Sequence, residues 1–553
     1  MKRILFIYTL LLSSTMFSQE ANIVKSDYTV SGNNTITATN SITLKPTTWI
    51  QLGSTFRAYI VEDPYTPLVF SNENYVFTRA YQNPMTSPAG ITQNKDVQES
   101  ITYFDGLGRA KQSIGIKQSP NQEDIITHIE YDEFGRQTKE YLPYAVESAN
   151  GAIITGDVVA ATNNYYKTNF PADIDALTPN PYSEKQLDNS PLNRVLKQAA
   201  PGEDWKLGNG HEIEFVYDVN TATEVKNYYV TTSFADNTYT PTLKLSTVNN
   251  GNYTTGELYK TVTKEENHGG GTSKLHTTEE FKNKQGQVIL KRTFALVAAI
   301  ETPHDTYYVY DDFGNLTYVL PPKTDAQNDK PTTTELNELC YQYIYDHRNR
   351  LVEKKIPGKG WEYIVYDKLD RPVLTQDANL RSVNNNTIVD DKKWLFTKYD
   401  ALGRVIYTGI YTHGSVITRK AMQTYFDSQN TSKQKYYEEK LPSVGTFGIY
   451  YSNSDFPSTS IEVLTVNYYD NYTFDRAGAN TSVSNIYGVN STTNLKSLAT
   501  GSKVKVLGSS PTKWITTLIY YDEKARPIYV YSKNDELETT DIVESKLDFS
   551  GKV

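Results

Sequence analysis

Cysteine is almost absent from this chain: Cys340 is the single one among 553 residues. No intramolecular disulfide can form, so packing and hydrogen bonds must hold the fold. Placed in "TELNELCYQYIYD", Cys340 reads as a small buried hydrophobe rather than a nucleophile. Histidine is scarce too. His128, His211, His268, His276, His304, His347 and His413 are scattered, with no H-E-x-x-H and no i,i+4 pair, which excludes the common helical zinc arrangement. There is no C-x-x-C, no G-x-S-x-G elbow and no G-x-x-x-x-G-K-[ST] phosphate loop. "DVNTATEVKN", residues 218–227, lacks the glycine and spacing of a calcium loop. Positive charge is not in excess: 55 Lys and Arg against 64 Asp and Glu leave a net charge of −9, with no basic stripe for a nucleic-acid backbone. These absences point to a chain with no cofactor, no metal site, no nucleic-acid partner and no enzyme active site.

Long apolar runs are missing as well, except at the start. Met1-Lys2-Arg3 is a short basic region, and Ile4 to Phe17 is apolar but too short to span a bilayer comfortably. Ser18 then precedes Gln19, which predicts a signal peptide over residues 1–18, cleaved near Ser18–Gln19. The mature chain is expected to be secreted or at the cell surface, with no membrane span. What is abundant is tyrosine, 44 against 19 Phe. A residue that packs its ring and wets its hydroxyl suits half-buried pleated surface.

The tyrosines fall into a repeat. Phe104-Asp105-Gly106-Leu107-Gly108-Arg109 is followed by Tyr131-Asp132-Glu133-Phe134-Gly135-Arg136, and then by Tyr310-Asp311-Asp312-Phe313-Gly314-Asn315. Tyr345-Asp346 to Arg350, Tyr366-Asp367 to Arg371, Tyr399-Asp400-Ala401-Leu402-Gly403-Arg404 and Tyr521-Asp522 to Arg526 complete seven copies. "LDFSGKV" from Leu547 has the form of an eighth. At this composition chance supplies about 0.7 copies of the aromatic–acid–base spacing, so the recurrence marks a repeat architecture. Each hexad has the chemistry of a hairpin turn. Asp suits the first turn position, where its carboxylate accepts backbone N–H groups. Gly suits the left-handed place that closes the turn with a bulge. Asn349 and Asp370 are the next best residues there, whereas Ala525 predicts a distorted turn. On this reading Asp and Arg fix turn and register, and the hexad Tyr supplies buried area. "YDEFGRQTKEY" is expected to join strands Ile126–Tyr131 and Arg136–Leu142 as one hairpin.

Repeated [YF]-D-x-x-G-R hairpins resemble the YD repeats of the RHS family, known from polymorphic toxins, insecticidal toxin complexes and teneurins. The resemblance covers roughly residues 100–553, with gaps. Leu187–Trp205 and Glu280–Arg292 look like degenerate members. The chain is also similar to the N-terminal region of secreted YD-repeat proteins of Bacteroidetes-type bacteria. This resemblance implies a mainly β fold, in which antiparallel hairpins join into a curled sheet or partial shell with few short helices. It implies a structural role, enclosing or presenting a C-terminal toxin or effector, with a downstream shell or toxin polypeptide as partner. The autoproteolytic core of complete RHS toxins has no counterpart before Val553, so no catalytic residue carries over.

The expected organisation is a signal peptide (1–18), a small β-solenoid-like module or strand meander (19–63), and an N-terminal β region with the first hairpins and a helical insert (64–205). A repeat sheet (206–405) follows, then an insertion or degenerate repeats (406–513), and final repeats (514–553). Two other functions compete. A surface adhesin would stack glycans on exposed Tyr and on Trp49, Trp361, Trp394 and Trp514, although these Trp suit the sheet core better. A secreted hydrolase would place its carboxylates within 406–513.

Overall fold

The structure, a computed structural model, describes residues 22–548 and 551–553, apart from 39–40, 61–63, 83–84, 86, 172–178, 325–329, 382, 385–386, 389–391, 416–417 and 430–435. The signal peptide with Ser18 and Gln19 lies outside the described residues, as do Phe549 and Ser550 of the last hexad. Residues 1–214 with 265–267 form one unit, and 215–264 with 268–553 a second.

In the first unit, three strand pairs open the described chain. Asn22–Lys25 pairs with Ser41–Leu44, Thr29–Val30 with Trp49–Ile50, and Asn33–Ala38 with Thr55–Ile60. All three are parallel and offset by about one coil, the geometry of stacked solenoid turns; a meander would pair antiparallel. A five-stranded antiparallel sheet follows, in the order Tyr144–Val146, Asp124–His128, Ala110–Ile116, Val97–Phe104, Asn74–Tyr81. Val97–Phe104 alternates buried with half-buried or exposed residues, as a strand with one covered face must. Its inward side chains, Ile101 and Tyr103, join Ile114, Ile116, Ile126 and Tyr144 in one core. Asp157 caps the helix Val158–Asn169 by accepting the Ala160 N–H at 2.9 Å.

The second unit is built mainly from one sequential ribbon. From Tyr259–Lys264 to Thr539–Glu544 each ribbon strand pairs antiparallel with the next, the short hairpin Val383–Asn384/Thr387–Ile388 standing apart. The hairpin Tyr228–Ala235/Thr238–Leu245 returns to the ribbon, pairing Thr238 and Tyr239 with Asp346 and Tyr345. Between them Tyr228, Val230, Leu243, Phe281, Leu290, Tyr307 and Leu320 form a core, and Cys340 is fully buried in it. Burial pushes the Cys340 thiol up to about 12, which keeps it protonated and unreactive.

Within 406–513, ribbon strands alternate with longer connections. Val405–Thr412, Ile461–Tyr469, Ala499–Lys505 and Trp514–Tyr521 continue the ribbon in order. The insertions are the connections between them. The first carries the helix Arg419–Gln429, which buries Met422 and Phe426. Gln423 of that helix accepts the Tyr366 N–H at 3.0 Å and donates to the Tyr366 carbonyl at 2.9 Å.

Candidate functional site: a ladder of stapled turns

Each hexad builds the same small hydrogen-bonded loop. At Asp367, Oδ1 accepts the backbone N–H groups of Leu369 and Arg371, both at 2.9 Å, and Oδ2 accepts Arg371 Nε at 2.8 Å. The Asp367 N–H donates to the Arg371 carbonyl, and Asp370 N–H donates to the Asp367 carbonyl. Asp105 with Arg109, Asp132 with Arg136, Asp346 with Arg350, Asp400 with Arg404 and Asp522 with Arg526 repeat every one of these bonds. Asp311 does the same with Asn315, whose amide replaces the guanidinium at 3.1 Å. The fifth residue of the hexad is left-handed throughout: Gly108, Gly135, Gly314 and Gly403 have φ from +76° to +82°, and Asn349 and Asp370 have +57° and +62°. Immediately before each Asp of a regular hairpin the pairing register shifts by a bulge, as at Val365/Tyr366.

Three expectations are corrected. Ala525 does not distort its turn. It adopts φ +60° and keeps the hydrogen bonds of the other copies, because four bonds to Asp522 over-determine the backbone there. The opening stretch at Tyr131–Arg136 forms the turn but not a hairpin: Asp124–His128 belongs to the five-stranded sheet, while Lys139–Tyr141 pairs with Tyr182–Leu187 in another. Finally, the hexad aromatics are not the main buried area. Phe104, Tyr131, Tyr310, Tyr345, Tyr366 and Tyr399 are half-buried, and only Tyr521 is buried. Strand alternation puts the preceding residue on the core side, so Tyr103, Val309, Val365 and Tyr520 are the buried ones.

The hexad Tyr has a different task, visible only between turns. The Tyr366 hydroxyl donates to the Leu351 carbonyl at 2.8 Å, and the Arg350 guanidinium lies over the Tyr366 ring at 4.6 Å. Tyr399 is placed in the same way, its hydroxyl on the Pro372 carbonyl at 2.7 Å and its ring under Arg371 at 4.4 Å. Arg109 covers Tyr131 at 4.4 Å, and Tyr345 donates to the Leu316 carbonyl at 2.9 Å. Tyr345, Tyr366 and Tyr399 thus reach back to the residue following the previous basic or amide position. The guanidinium also reaches forward: Arg136 Nη1 donates to Asn193 Oδ1 at 2.9 Å, Arg350 Nη1 to Asp370 Oδ1 at 2.6 Å, and Arg526 Nη1 to the Asp548 carbonyl at 2.9 Å. Within each unit, neighbouring turns are therefore stapled side by side, by a ring, a hydroxyl or a guanidinium.

Copies with weak sequence signals join the ladder. Asp188 closes a turn two residues longer on Arg194. Asn283 accepts from the Gln285 and Gln287 N–H groups, an uncharged version of the same loop, and Asp548 accepts from Lys552 N–H at 2.9 Å. Tyr469-Asp470 joins as well, outside the hexad pattern. Arg404 lies over Tyr469 at 4.3 Å and donates to both Asp470 oxygens, at 3.1 and 2.6 Å. Its only sequence signal is the aromatic–Asp pair, because neither Gly nor Arg follows at the usual spacing.

Three hexad carboxylates, Asp105, Asp132 and Asp522, are held below their ordinary range. Backbone and side-chain hydrogen bonds from Arg109 put Asp105 below the usual carboxylate range. Burial pushes the Asp522 carboxyl up, but the bonds from Arg526 and Lys524 outweigh it and the group ends lowered. Ion pairs the sequence did not reveal lie deeper. Arg292 grips Asp305 through two 2.7 Å bonds, and Lys398 meets Glu438 at 2.6 Å, both nearly inaccessible to solvent. Of the tryptophans considered for glycan stacking, Trp394 is fully buried, Trp361 and Trp514 are half-buried, and Trp49 is exposed. Among the described residues, no three His, Cys, Asp or Glu side chains come together as a metal site requires.

A family model described as a domain of unknown function, DUF6443, matches residues 77–219. No curated protein matches the chain. Among solved structures, the chain is similar to the TcdB2–TccC3–Cdc42 assembly at 15% identity and a TM-score of 0.37, over 86% of this chain and 22% of that one. It is also similar to the Tc holotoxin pore of Photorhabdus luminescens at 14% identity and 0.36, with the same coverage, and to TcdB2–TccC3 at 14% and 0.35, over 82% and 22%. The chain spans about a fifth of the length of those proteins. At such scores the fold rests on the strand pairings themselves.

Proposed function

We propose that the chain is exported and acts as a non-catalytic wall segment of the YD/RHS-repeat kind, whose ribbon encloses or presents another polypeptide. The observation that carries this reading is the staple between turns. The hexad Asp and Arg close their own loop, and in several copies the Tyr and the rest of the guanidinium reach a neighbouring turn, so these repeated residues are committed to building the sheet edge. A ribbon that fixes each hairpin to the next resists fraying without disulfides, which suits an extracellular wall. The partner fitting this role is a toxin or effector polypeptide, or a further shell polypeptide. Co-expression with the polypeptide encoded next to this chain tests it. Co-purification, with the partner protected from protease until the wall is denatured, is the expected result; equal digestion of the partner with and without the wall sinks the proposal. N-terminal sequencing of the exported protein should begin at Gln19.

A further inference from the structure

Three side chains from distant parts of the sequence converge beneath the connection between Val405–Thr412 and Ile461–Tyr469. Lys398, one residue before the Tyr399 hexad, is 3% exposed, and Glu438 is 1% exposed. Lys398 Nζ donates to Glu438 Oε1 at 2.6 Å, to Asn453 Oδ1 at 2.7 Å and to the Asp455 carbonyl at 2.8 Å. The surroundings are aromatic: the Tyr407 ring centroid lies 5.4 Å from Nζ, and Phe426 and Phe456 border the same small cavity. Glu438 is fixed from its far side, since Oε2 accepts Ser452 Oγ at 2.6 Å and the Ser454 N–H at 2.9 Å. Asn453 is fixed too, its Nδ2 donating to the Ser458 carbonyl at 2.7 Å.

An amine hydrogen-bonded at 2.7 Å to a carboxamide oxygen, with a buried carboxylate touching the amine, is arranged for amide exchange. We propose that Lys398 and Asn453 join through an intramolecular isopeptide bond, with Glu438 carrying the protons. The ammonium first passes a proton to Glu438 across their hydrogen bond, leaving a neutral amine. The Nζ lone pair then bonds to Asn453 Cγ, and the carbonyl π pair moves onto Oδ1; the Tyr407 hydroxyl, which donates to the Ser452 carbonyl at 2.9 Å, lies 3.4 Å from that oxygen. Glu438 delivers its proton to Nδ2 and takes a second one from Nζ. The Cγ–Nδ2 bond breaks with its electron pair on nitrogen, ammonia leaves, and the carbonyl re-forms. Glu438 returns to carboxylate by losing its proton to water. No oxidant or co-reactant is needed. Burial raises the Glu438 carboxyl, but the Lys398 charge and its hydrogen bonds outweigh burial and hold it low, so the ion pair is the resting state from which the reaction starts slowly and once. The product ties the ribbon strand Lys393–Tyr399 to the first insertion, a covalent clamp in a chain without disulfides. It is independent of the wall reading.

Peptide mapping of the full-length folded protein by mass spectrometry decides the matter. The expected result is a branched peptide joining Lys398 to Asn453, lighter than its two parts by one ammonia. Asn453→Asp should give the same branched mass, now by loss of water. Lys398→Arg and Asn453→Ala should give none, and Glu438→Gln, which keeps both reacting groups, should lose most of it. Wild-type protein yielding only separate, unmodified Lys398 and Asn453 peptides overturns the proposal, because an ion pair alone leaves the mass unchanged. A variant that misfolds does not affect that wild-type reading.

Discussion

Two stretches of the same ribbon reach the same strand pairing by different means. From Tyr341 to Gln376 the strands are joined by short turns, and the buried positions hold modest side chains such as Val352, Val365, Val373 and Leu374. From Val405 to Tyr521 the connections are longer and mostly lack the hexad, and here the core, which Val365, Val373 and Leu374 also enter, is richest in aromatics: Tyr407, Tyr411, Tyr451, Tyr468, Tyr472, Phe474 and Tyr520 are all buried. Tyr468 stacks on Phe474 with centroids 4.1 Å apart and on Tyr451 at 5.4 Å. Gly501 lets the Phe474 ring approach the strand so closely that an added Cβ would sit 2.6 Å from it. Where a local turn sets the register, little burial is needed. Where the turn is lost, packed rings on the sheet face set it instead.

The largest expected effect tests the second mechanism. Tyr468→Ala removes a fully buried ring from between two others and should cost about 3–5 kcal/mol, read as a shift in the urea midpoint of the second unit. Amide exchange should rise across Ile461–Tyr469 and Ala499–Lys505 while Tyr341–Gln376 stays protected. Uniform deprotection of both stretches would mean that they share one register device.

Next comes the turn itself. Asp367→Ala strips two backbone N–H groups and the Arg371 guanidinium of their acceptor at a site where the carboxylate is 2% exposed, at a cost of about 2–3 kcal/mol. Asp367→Asn keeps the Oδ1 acceptor, as Asn283 does naturally, and should cost about 1 kcal/mol. Equal costs for the two variants would refute the idea that the side-chain acceptor anchors the turn.

Much of this was legible in the sequence because it is local. An Asp, a left-handed position and an Arg within six residues specify a turn through bonds that never leave those residues, so the repeat located the turns and the mainly β class. What was not legible depends on partners far along the chain. Lys398 and Glu438 are separated by the insertion, and no spacing rule joins them. The role of the hexad Tyr was misread because a strand's period of two assigns its face only once the bulge is known. The hairpin expected around Tyr131 failed for the same reason: a turn sequence does not say which sheet each arm will enter.

Protonation should loosen turns less than deletion does, since it removes charge but not the side chain. The carboxyls of Asp105, Asp132, Asp188 and Asp522 are all lowered, with bonds from Arg109, Arg136, Arg194 and Arg526 as the common cause; burial opposes them in each and is the largest single influence at Asp522. A group whose folded value is depressed stabilises above its unfolded pKa of about 3.9 and loses that contribution as pH falls through the folded value. Amide exchange corrected for intrinsic rates should therefore show these turns opening below about pH 4, with the uncharged Asn283 turn unaffected. Parallel opening of the Asn283 turn would assign the acid effect to the whole sheet.

The smallest effect sharpens the comparison within the turns. Ala525 is exposed, so nothing packs on its methyl group, yet it holds φ +60°. That conformation costs an L-residue about 1–2 kcal/mol, while glycine adds about 0.4–1 kcal/mol of unfolded-chain entropy. Ala525→Gly should therefore stabilise by about 0.5 kcal/mol, and Gly403→Ala, at φ +78° with Arg371 Nη1 4.0 Å from the new methyl, should lose a similar amount. Opposite signs at the two positions would show that turn strain is tolerated because the Asp-centred bonds exceed it. A loss at both would mean that Ala525 is held by contacts its exposure denies.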